Sequence, residues 1–148
     1  MFTHKIINPP DFKLDEKIIK NIFKTIEETQ EKTQAGTLNL VFVGPEEIKN
    51  LNSTYRKKDE VTDVLSFNYI FDFNEAKKND IVGELVFCID RIIEQGQEDN
   101  LGSEKEFYML LIHSVLHILG YDHEEENDYI LMKTQENKIW DELFKEKA

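Results

Sequence analysis

The sequence lacks the features that stabilise secreted proteins or anchor membrane proteins. Cys88 is the only cysteine, so no intrachain disulfide can form. No apolar run approaches the roughly 20 residues that a membrane span requires. Residues 1–11 contain no apolar stretch typical of a signal peptide and include Pro9-Pro10. We therefore expect a cytoplasmic protein with no membrane partner and no disulfide-linked partner.

Basic residues are also scarce. The 18 lysines and arginines face 30 aspartates and glutamates, which gives a net charge of −12. Broad, non-specific binding to nucleic acid depends on many cations that neutralise phosphates, so this balance argues against it. A local basic site on an acidic body remains compatible with the composition.

Length and patterning predict one α+β domain over residues 1–148, the size of an ordinary single core. Helices and strands mix without strict alternation, which favours a small mixed sheet of about four strands with helices packed on it. The predicted strands are 2–8, 37–43, 64–70 and 81–89. The predicted helices are 14–30, 45–55, a short one from 90, 103–119 and 127–145.

The helix predicted over 103–119 should be central, because it is apolar nearly all round. Ser103 and Glu106 have the spacing of a capping box at its start. Gly120 is placed to end it. In the flanking helices, we expect Tyr55 and Ile130 to point inward.

Three of the four histidines fall within residues 113–123. His113 and His117 are four residues apart on the predicted central helix, so both rings leave the same face. Gly120 can turn the chain back, and His123 follows three residues later. Three imidazoles with an open fourth position are typical of a catalytic zinc site, so we predict one zinc ion per chain. The alternative is a core helix that merely carries histidines.

The histidine spacing equals that of the zinc peptidases H-E-x-x-H-x-x-G-x-x-H, with one departure. Ser114 stands where those enzymes have the glutamate that activates water. A serine cannot act as that base at neutral pH. The metal site is therefore peptidase-like without the peptidase base.

The densest basic patch is Arg56-Lys57-Lys58. Arg56 can be a catalytic cation, since its planar guanidinium binds phosphate through two hydrogen bonds. It can equally be a cation that favours the end of a helix. The residues alone favour the second interpretation.

Three segments together resemble the YbeY family of bacterial metal-dependent endoribonucleases. Residues 51–67 read LNSTYRKKDEVTDVLSF, residues 83–85 read GEL, and residues 113–123 read HSVLHILGYDH. The family more often has Gly-Asp-Ile at the second segment, so Glu84 is left out of the predicted site. The resemblance covers the chain in length and in order of elements.

The resemblance implies a zinc-hydrolase-like central helix with His113, His117 and His123 as zinc ligands. It implies that Arg56 lines the same cleft and acts in catalysis. It also implies a function in ribosomal RNA processing, small-subunit maturation and ribosome quality control. Ribosomal RNA precursors would be the substrates, and ribosomal proteins or assembly factors are candidate partners.

Two other functions stay open at this point. One is a metallohydrolase of another class, such as a peptidase, and the other is a non-enzymatic assembly factor with a structural metal. Asp122 could orient a ligand, assist proton transfer or be a solvated side chain. Cys88 is expected to be an inert core thiol, and His4 an exposed strand residue.

Overall fold

The computed structural model describes residues 1–31, 34–69, 75–121 and 125–145. This part of the chain forms four strands and five helices, which confirms the predicted α+β class with a mixed sheet. The elements are β1 (Thr3–Ile7), α1 (Glu16–Gln30), β2 (Thr37–Val43), α2 (Pro45–Arg56), β3 (Val64–Asn68), β4 (Ile81–Cys88), α3 (Ile89–Glu98), α4 (Ser103–Ile118) and α5 (Glu126–Phe144).

The sheet has the strand order β1-β2-β4-β3. Strands β1, β2 and β4 are parallel, and β3 pairs antiparallel to β4 at the edge. Successive side chains along a strand point to opposite faces. On β4, Leu85 and Phe87 therefore enter one core and Val86 enters another.

The larger core lies between the sheet and helices α1, α4 and α5. Helix α4 is the most buried of these, and Phe107, Leu111 and Val115 have no exposed surface. The smaller core joins Ile48 of α2 to Val43, Leu65, Val86 and Cys88. Helices α2 and α4 consequently cover opposite faces of the sheet. No described helix is both long and apolar enough to cross a membrane.

Two side chains that we expected to point inward are exposed. Tyr55 is 65% exposed, because its ring lies at the sheet edge, edge-on to Phe67 of β3 at 5.3 Å between centroids. Ile130 is 54% exposed, because the buried stripe of α5 runs through Met132, Glu136 and Ile139 instead. Both predictions were wrong for the same reason: helical spacing alone does not fix which face meets the core.

The predicted capping box at α4 was also wrong. Gly102 is the N-cap residue, Ser103 is the first helical residue, and no side chain caps the helix. Helix α3 packs tightly against the turn before α4, since a Cβ atom at Gly96 would come within 2.8 Å of the Gly102 backbone. This packing places Gly102 at the N-cap. Glu106 is buried, where its carboxyl lies near Asp99.

Candidate metal centre

His113 and His117 project from the same face of α4, as the sequence predicts. Their ring centroids are 4.7 Å apart and the rings are nearly perpendicular, at 82°. Both residues are partly exposed on a helix that is otherwise largely buried. The third predicted ligand, His123, and its neighbour Asp122 lie outside the described residues.

The end of α4 supplies the hydrogen-bond partner of His117. Gly120 has a φ of +105°, which favours glycine, and its N–H donates to the His117 carbonyl at 3.0 Å. The Tyr121 N–H donates to the Leu116 carbonyl at 3.0 Å, which completes a Schellman turn. This turn brings the Tyr121 carbonyl to 2.9 Å from His117 Nδ1. A carbonyl can only accept, so Nδ1 carries a proton, and in the neutral ring the lone pair is on Nε2.

Helix α5 supplies the partner of His113. The Glu136 carboxylate is hydrogen bonded to His113 Nδ1, across the contact between α4 and α5. An ionised carboxylate also only accepts, so Nδ1 of His113 carries a proton, and in the neutral ring the lone pair is on Nε2. Glu136 is 5% exposed and lies on the buried stripe of its helix.

The carboxyl of Glu136 is held in its charged form. Burial alone would raise its pKa, but the hydrogen bond and charge of His113, together with Lys133, lower the pKa below its ordinary value. Lys133 Nζ is 3.6 Å from Glu136 Oε2, one helical turn away. An acceptor is therefore available to His113 at neutral pH.

These contacts fit a zinc centre. Histidines that bind a metal commonly donate their other ring N–H to a carboxylate or a backbone carbonyl, and both kinds of acceptor are present here. Neutral imidazole is a ligand that zinc accepts readily. Within the described ranges, no three His, Cys, Asp or Glu side chains are arranged to hold a metal.

A cleft of about 220 Å³ opens beside His113 between α4 and α5. Among the described residues, the rest of its lining comes from α5: Tyr129, Met132, Lys133 and Glu136. The cleft combines an exposed aromatic ring, an apolar floor and a cation, so it offers a substrate contacts next to the histidines.

Ser114 has no access to this cleft. Its side chain is fully buried, and its hydroxyl donates to the Leu110 carbonyl at 2.8 Å. This is a common local bond of a helical serine. The position where a zinc peptidase has its glutamate is therefore occupied by a small packing residue.

Arg56 lies at the last residue of α2 and is exposed. Among the described residues, no hydrogen bond, ion pair or ring contact joins it to His113 or His117. The two regions are linked through β3: Phe67 contacts Tyr55, and the Asn68 amide donates to the Ile118 carbonyl of α4 at 3.3 Å. Arg56 thus approaches the histidines only around the edge of the sheet.

The remaining polar residues singled out in the sequence lie elsewhere. Glu84 accepts a hydrogen bond from the Tyr69 hydroxyl at 3.0 Å, and its side chain is on the α2 face of the sheet. Cys88 is buried, and burial raises the pKa of its thiol, as expected for an unreactive core cysteine.

The expectation that His4 is exposed was wrong. Its side chain is only 5% exposed and stacks on Phe23, with Nε2 at 3.2 Å from Glu16. Burial lowers its pKa. Its face of β1 is covered by α1, which the sequence pattern of a short strand could not indicate.

Comparison with known proteins identifies the family of this chain. A family model described as Endoribonuclease YbeY matches residues 5–144. The chain belongs to the YbeY family. The matched region includes all three predicted zinc ligands and Arg56 of this chain.

Individual relatives give the same result. Endoribonuclease YbeY of Finegoldia magna is 43% identical over 106 residues, 72% of this chain and 68% of that protein. Endoribonuclease YbeY of Fusobacterium nucleatum is 44% identical over 104 residues, 69% of this chain and 64% of that protein. The solution structure of a Thermotoga maritima protein has a TM-score of 0.58 at 28% identity and covers 95% of this chain and 91% of that chain. The aligned regions thus span about two thirds of these YbeY proteins.

Two elements of the site were missed by sequence reasoning. The Tyr121 carbonyl is a backbone atom, and its position follows from the glycine turn. Glu136 had a detectable signal, because it is a charged residue on the stripe that otherwise buries Met132 and Ile139. A carboxylate on an apolar stripe indicates a buried partner.

Proposed function

We propose that this YbeY-family chain is a zinc-dependent endoribonuclease. In this proposal His113, His117 and His123 hold one zinc ion, and the substrates are ribosomal RNA precursors. The chain would act in small-subunit RNA maturation and in ribosome quality control. Its relatives named Endoribonuclease YbeY support internal cleavage of RNA strands.

The observation that carries the proposal is the hydrogen bonding of the histidine pair. Both Nδ1 atoms are engaged by acceptors, one on α5 and one in the turn after α4. Both rings therefore have the tautomer in which Nε2 can bind a metal. A core helix that merely carried histidines would also need acceptors for the ring N–H groups, but it would not need both rings on one partly exposed face.

The chemistry divides between the ion and the chain. A zinc ion held by the three histidines would supply a Lewis acid for the reaction at phosphorus. The cleft beside His113 holds the RNA, with Lys133 and Tyr129 at its mouth. Arg56 stabilises the charge that builds on the phosphoryl oxygens as the leaving oxygen departs, and it does so from the edge of the sheet.

Two alternatives predict different results. In a zinc peptidase the general base directly follows the first histidine, and the buried Ser114 at that position cannot act as one. An assembly factor with a structural zinc would keep the metal site but would not cut RNA. Whether the chain is an endoribonuclease or an assembly factor, its charge of −12 favours basic ribosomal proteins as partners. These partners would bring the chain to RNA.

The test compares metal content and RNA cleavage in three proteins purified in parallel. The wild type should bind about one zinc per chain and cut single-stranded RNA, since unpaired bases and backbone are accessible. His117→Ala should lose most of the zinc and the cleavage. His4→Gln is the matched control, because His4 lies on β1, away from the cleft, and should retain both properties.

The same experiment separates the alternatives. Full zinc content in His117→Ala would contradict the ligand assignment. Zinc loss without any difference in RNA cleavage would assign the activity to a contaminating ribonuclease and favour the assembly-factor role. Cleavage of a peptide by the wild type, lost in His117→Ala, would favour the peptidase.

A further inference from the structure

We propose that Glu136 is a positioning residue that makes the zinc affinity of the site depend on the docking of α5. The inference rests on the proposed zinc site and adds a residue that neither the motif nor the family match assigns. Glu136 acts through His113: its carboxylate accepts the Nδ1 proton, which fixes the ring so that Nε2 faces the ion.

The position of Glu136 is the first argument. It lies between Met132 and Ile139 on the stripe that packs into the larger core, and both neighbours are almost fully buried. A leucine at this position would continue the apolar stripe. A buried carboxylate is stable only when it is paired, and removal of its partner is strongly destabilising. The charged residue at this core position is best explained by the ring that it contacts.

The second argument is the difference between the two histidines. The partner of His117 is the carbonyl of Tyr121, four residues further along the chain, in a turn set by the end of α4 itself. The partner of His113 is 23 residues away in sequence and on another helix. The orientation of His117 is therefore local, whereas the orientation of His113 requires that α5 be packed in its place.

The third argument concerns how Glu136 is itself held. Its second oxygen, Oε2, is 3.6 Å from Lys133 Nζ, and its first oxygen accepts from His113. Two contacts to one carboxylate restrict its rotation, which in turn restricts the imidazole. This arrangement is the kind expected of an outer partner that orients a metal ligand.

The test measures zinc affinity by competition with a chromogenic chelator, for the metal-free protein titrated with zinc alone. Glu136→Ala should weaken zinc binding by about 10- to 100-fold, the range found when such outer partners are removed. Glu136→Gln keeps the volume and an acceptor oxygen without the charge, so its loss should be smaller. Glu142→Ala, an exposed glutamate on the same helix, should bind zinc like the wild type.

A spectroscopic measurement excludes a merely structural effect. In zinc-loaded wild-type protein, ¹⁵N-labelled His113 should show a protonated Nδ1 and a metal-bound Nε2. The Nδ1–H signal should persist in Glu136→Gln and be lost or exchange rapidly in Glu136→Ala. Thermal melting of the metal-free variants reports any separate loss of α5 packing.

Two outcomes would overturn the inference. Wild-type affinity in Glu136→Ala would show that the contact does not position the ring. Complete zinc loss in Glu136→Gln, equal to that of His113→Ala, would make Glu136 a ligand rather than a positioning residue. Failure of the zinc site itself would appear differently, as wild-type affinity in His113→Ala.

Discussion

The two candidate functional regions of this protein differ in how firmly they are held. His113 and His117 lie on the buried helix α4, and each ring is tied by an identified acceptor. Arg56 ends α2 on the opposite face of the sheet, with an exposed side chain. The histidine region is held in a fixed geometry by these acceptors, whereas the Arg56 region presents an exposed cation at a helix end.

This difference matches the chemistry that each region would perform. A zinc site needs ligands within a few tenths of an ångström of their ideal positions, so its side chains must be fixed. A guanidinium that stabilises phosphoryl charge can close on the RNA after binding. Strand β3 joins the two regions, since Phe67 touches α2 and Asn68 touches α4.

The largest expected effect comes from Arg56→Ala. If Arg56 stabilises the transition state, kcat for RNA cleavage should fall by about 10²- to 10³-fold. Zinc content should not change, and the free energy of unfolding should change by under about 1 kcal/mol, since only a helix-end cation is lost. The measurements are single-turnover cleavage, metal analysis and thermal melting.

Lys58→Ala provides the control for Arg56, because it removes a neighbouring exposed cation of the same patch. Arg56→Lys should recover only part of the activity, since an ammonium cannot make the paired contacts of a guanidinium. Normal cleavage by Arg56→Ala, with a small stability loss, would leave Arg56 as a helix-end cation only.

Gly83→Ala should disturb the link between the two regions. A Cβ atom at Gly83 would lie 2.8 Å from the Phe67 carbonyl oxygen and 3.1 Å from the Leu38 side chain, so β3 must move away from β4. We expect a loss of about 1–3 kcal/mol in the free energy of unfolding, as for other overpacked positions. Cleavage should fall further than zinc binding does.

Gly44→Ala is the matched glycine, because a Cβ atom there meets nothing within 4 Å. Its stability should fall by only about 0.5–1 kcal/mol, since Gly44 is the N-cap of α2 and alanine is a poorer N-cap residue than glycine. Urea unfolding of both variants checks the stability difference. Equal stability for the two variants would show that β3 adjusts without strain and that it does not rigidly connect Arg56 to α4.

The sequence predicted those parts of the fold that depend on local pattern. Strands β2 and β4 and helix α1 were located to within a few residues, because hydrophobic periodicity is a property of neighbours along the chain. The start of α4 at Ser103 was predicted, but its capping box was not formed, since the Ser103–Glu106 spacing says nothing about the close approach of Gly96 to Gly102. The prediction that Tyr55 points inward was wrong for a similar reason, because Tyr55 lies at a sheet edge that only the strand order defines.

The candidate site likewise has a part that the local sequence predicts and a part that it does not. The pairing of His113 with His117 follows from helix geometry, and the turn at Gly120 from the need for a positive φ. The contact of Glu136 with His113 depends on how α5 docks on α4, which no local pattern contains. The position of His123 relative to the pair stays a prediction, because it lies outside the described residues.

The smallest expected effect concerns the other end of α4, where a buried acid has acidic rather than basic neighbours. Burial raises the pKa of Glu106 to about 7, and the charge of Asp99 and a hydrogen bond with it add to the shift. The folded state therefore binds a proton that the unfolded state, with an ordinary pKa of 4.5, releases. The contribution of Glu106 to stability is highest below pH 4.5 and decreases as the pH rises to about 7.

Glu106→Gln removes this titration, so its free energy of unfolding should fall less between pH 5 and pH 8 than that of the wild type. The difference should be on the order of 1 kcal/mol at pH 8, in favour of the variant. Glu98→Gln, at an exposed residue near the end of α3, should follow the wild-type profile.

Zinc affinity at pH 8 should be equal in all three proteins, because the Glu106 end of α4 lies two turns from His113. A parallel profile for Glu106→Gln would contradict the raised pKa. A change in its zinc affinity would show that the two ends of α4 are coupled.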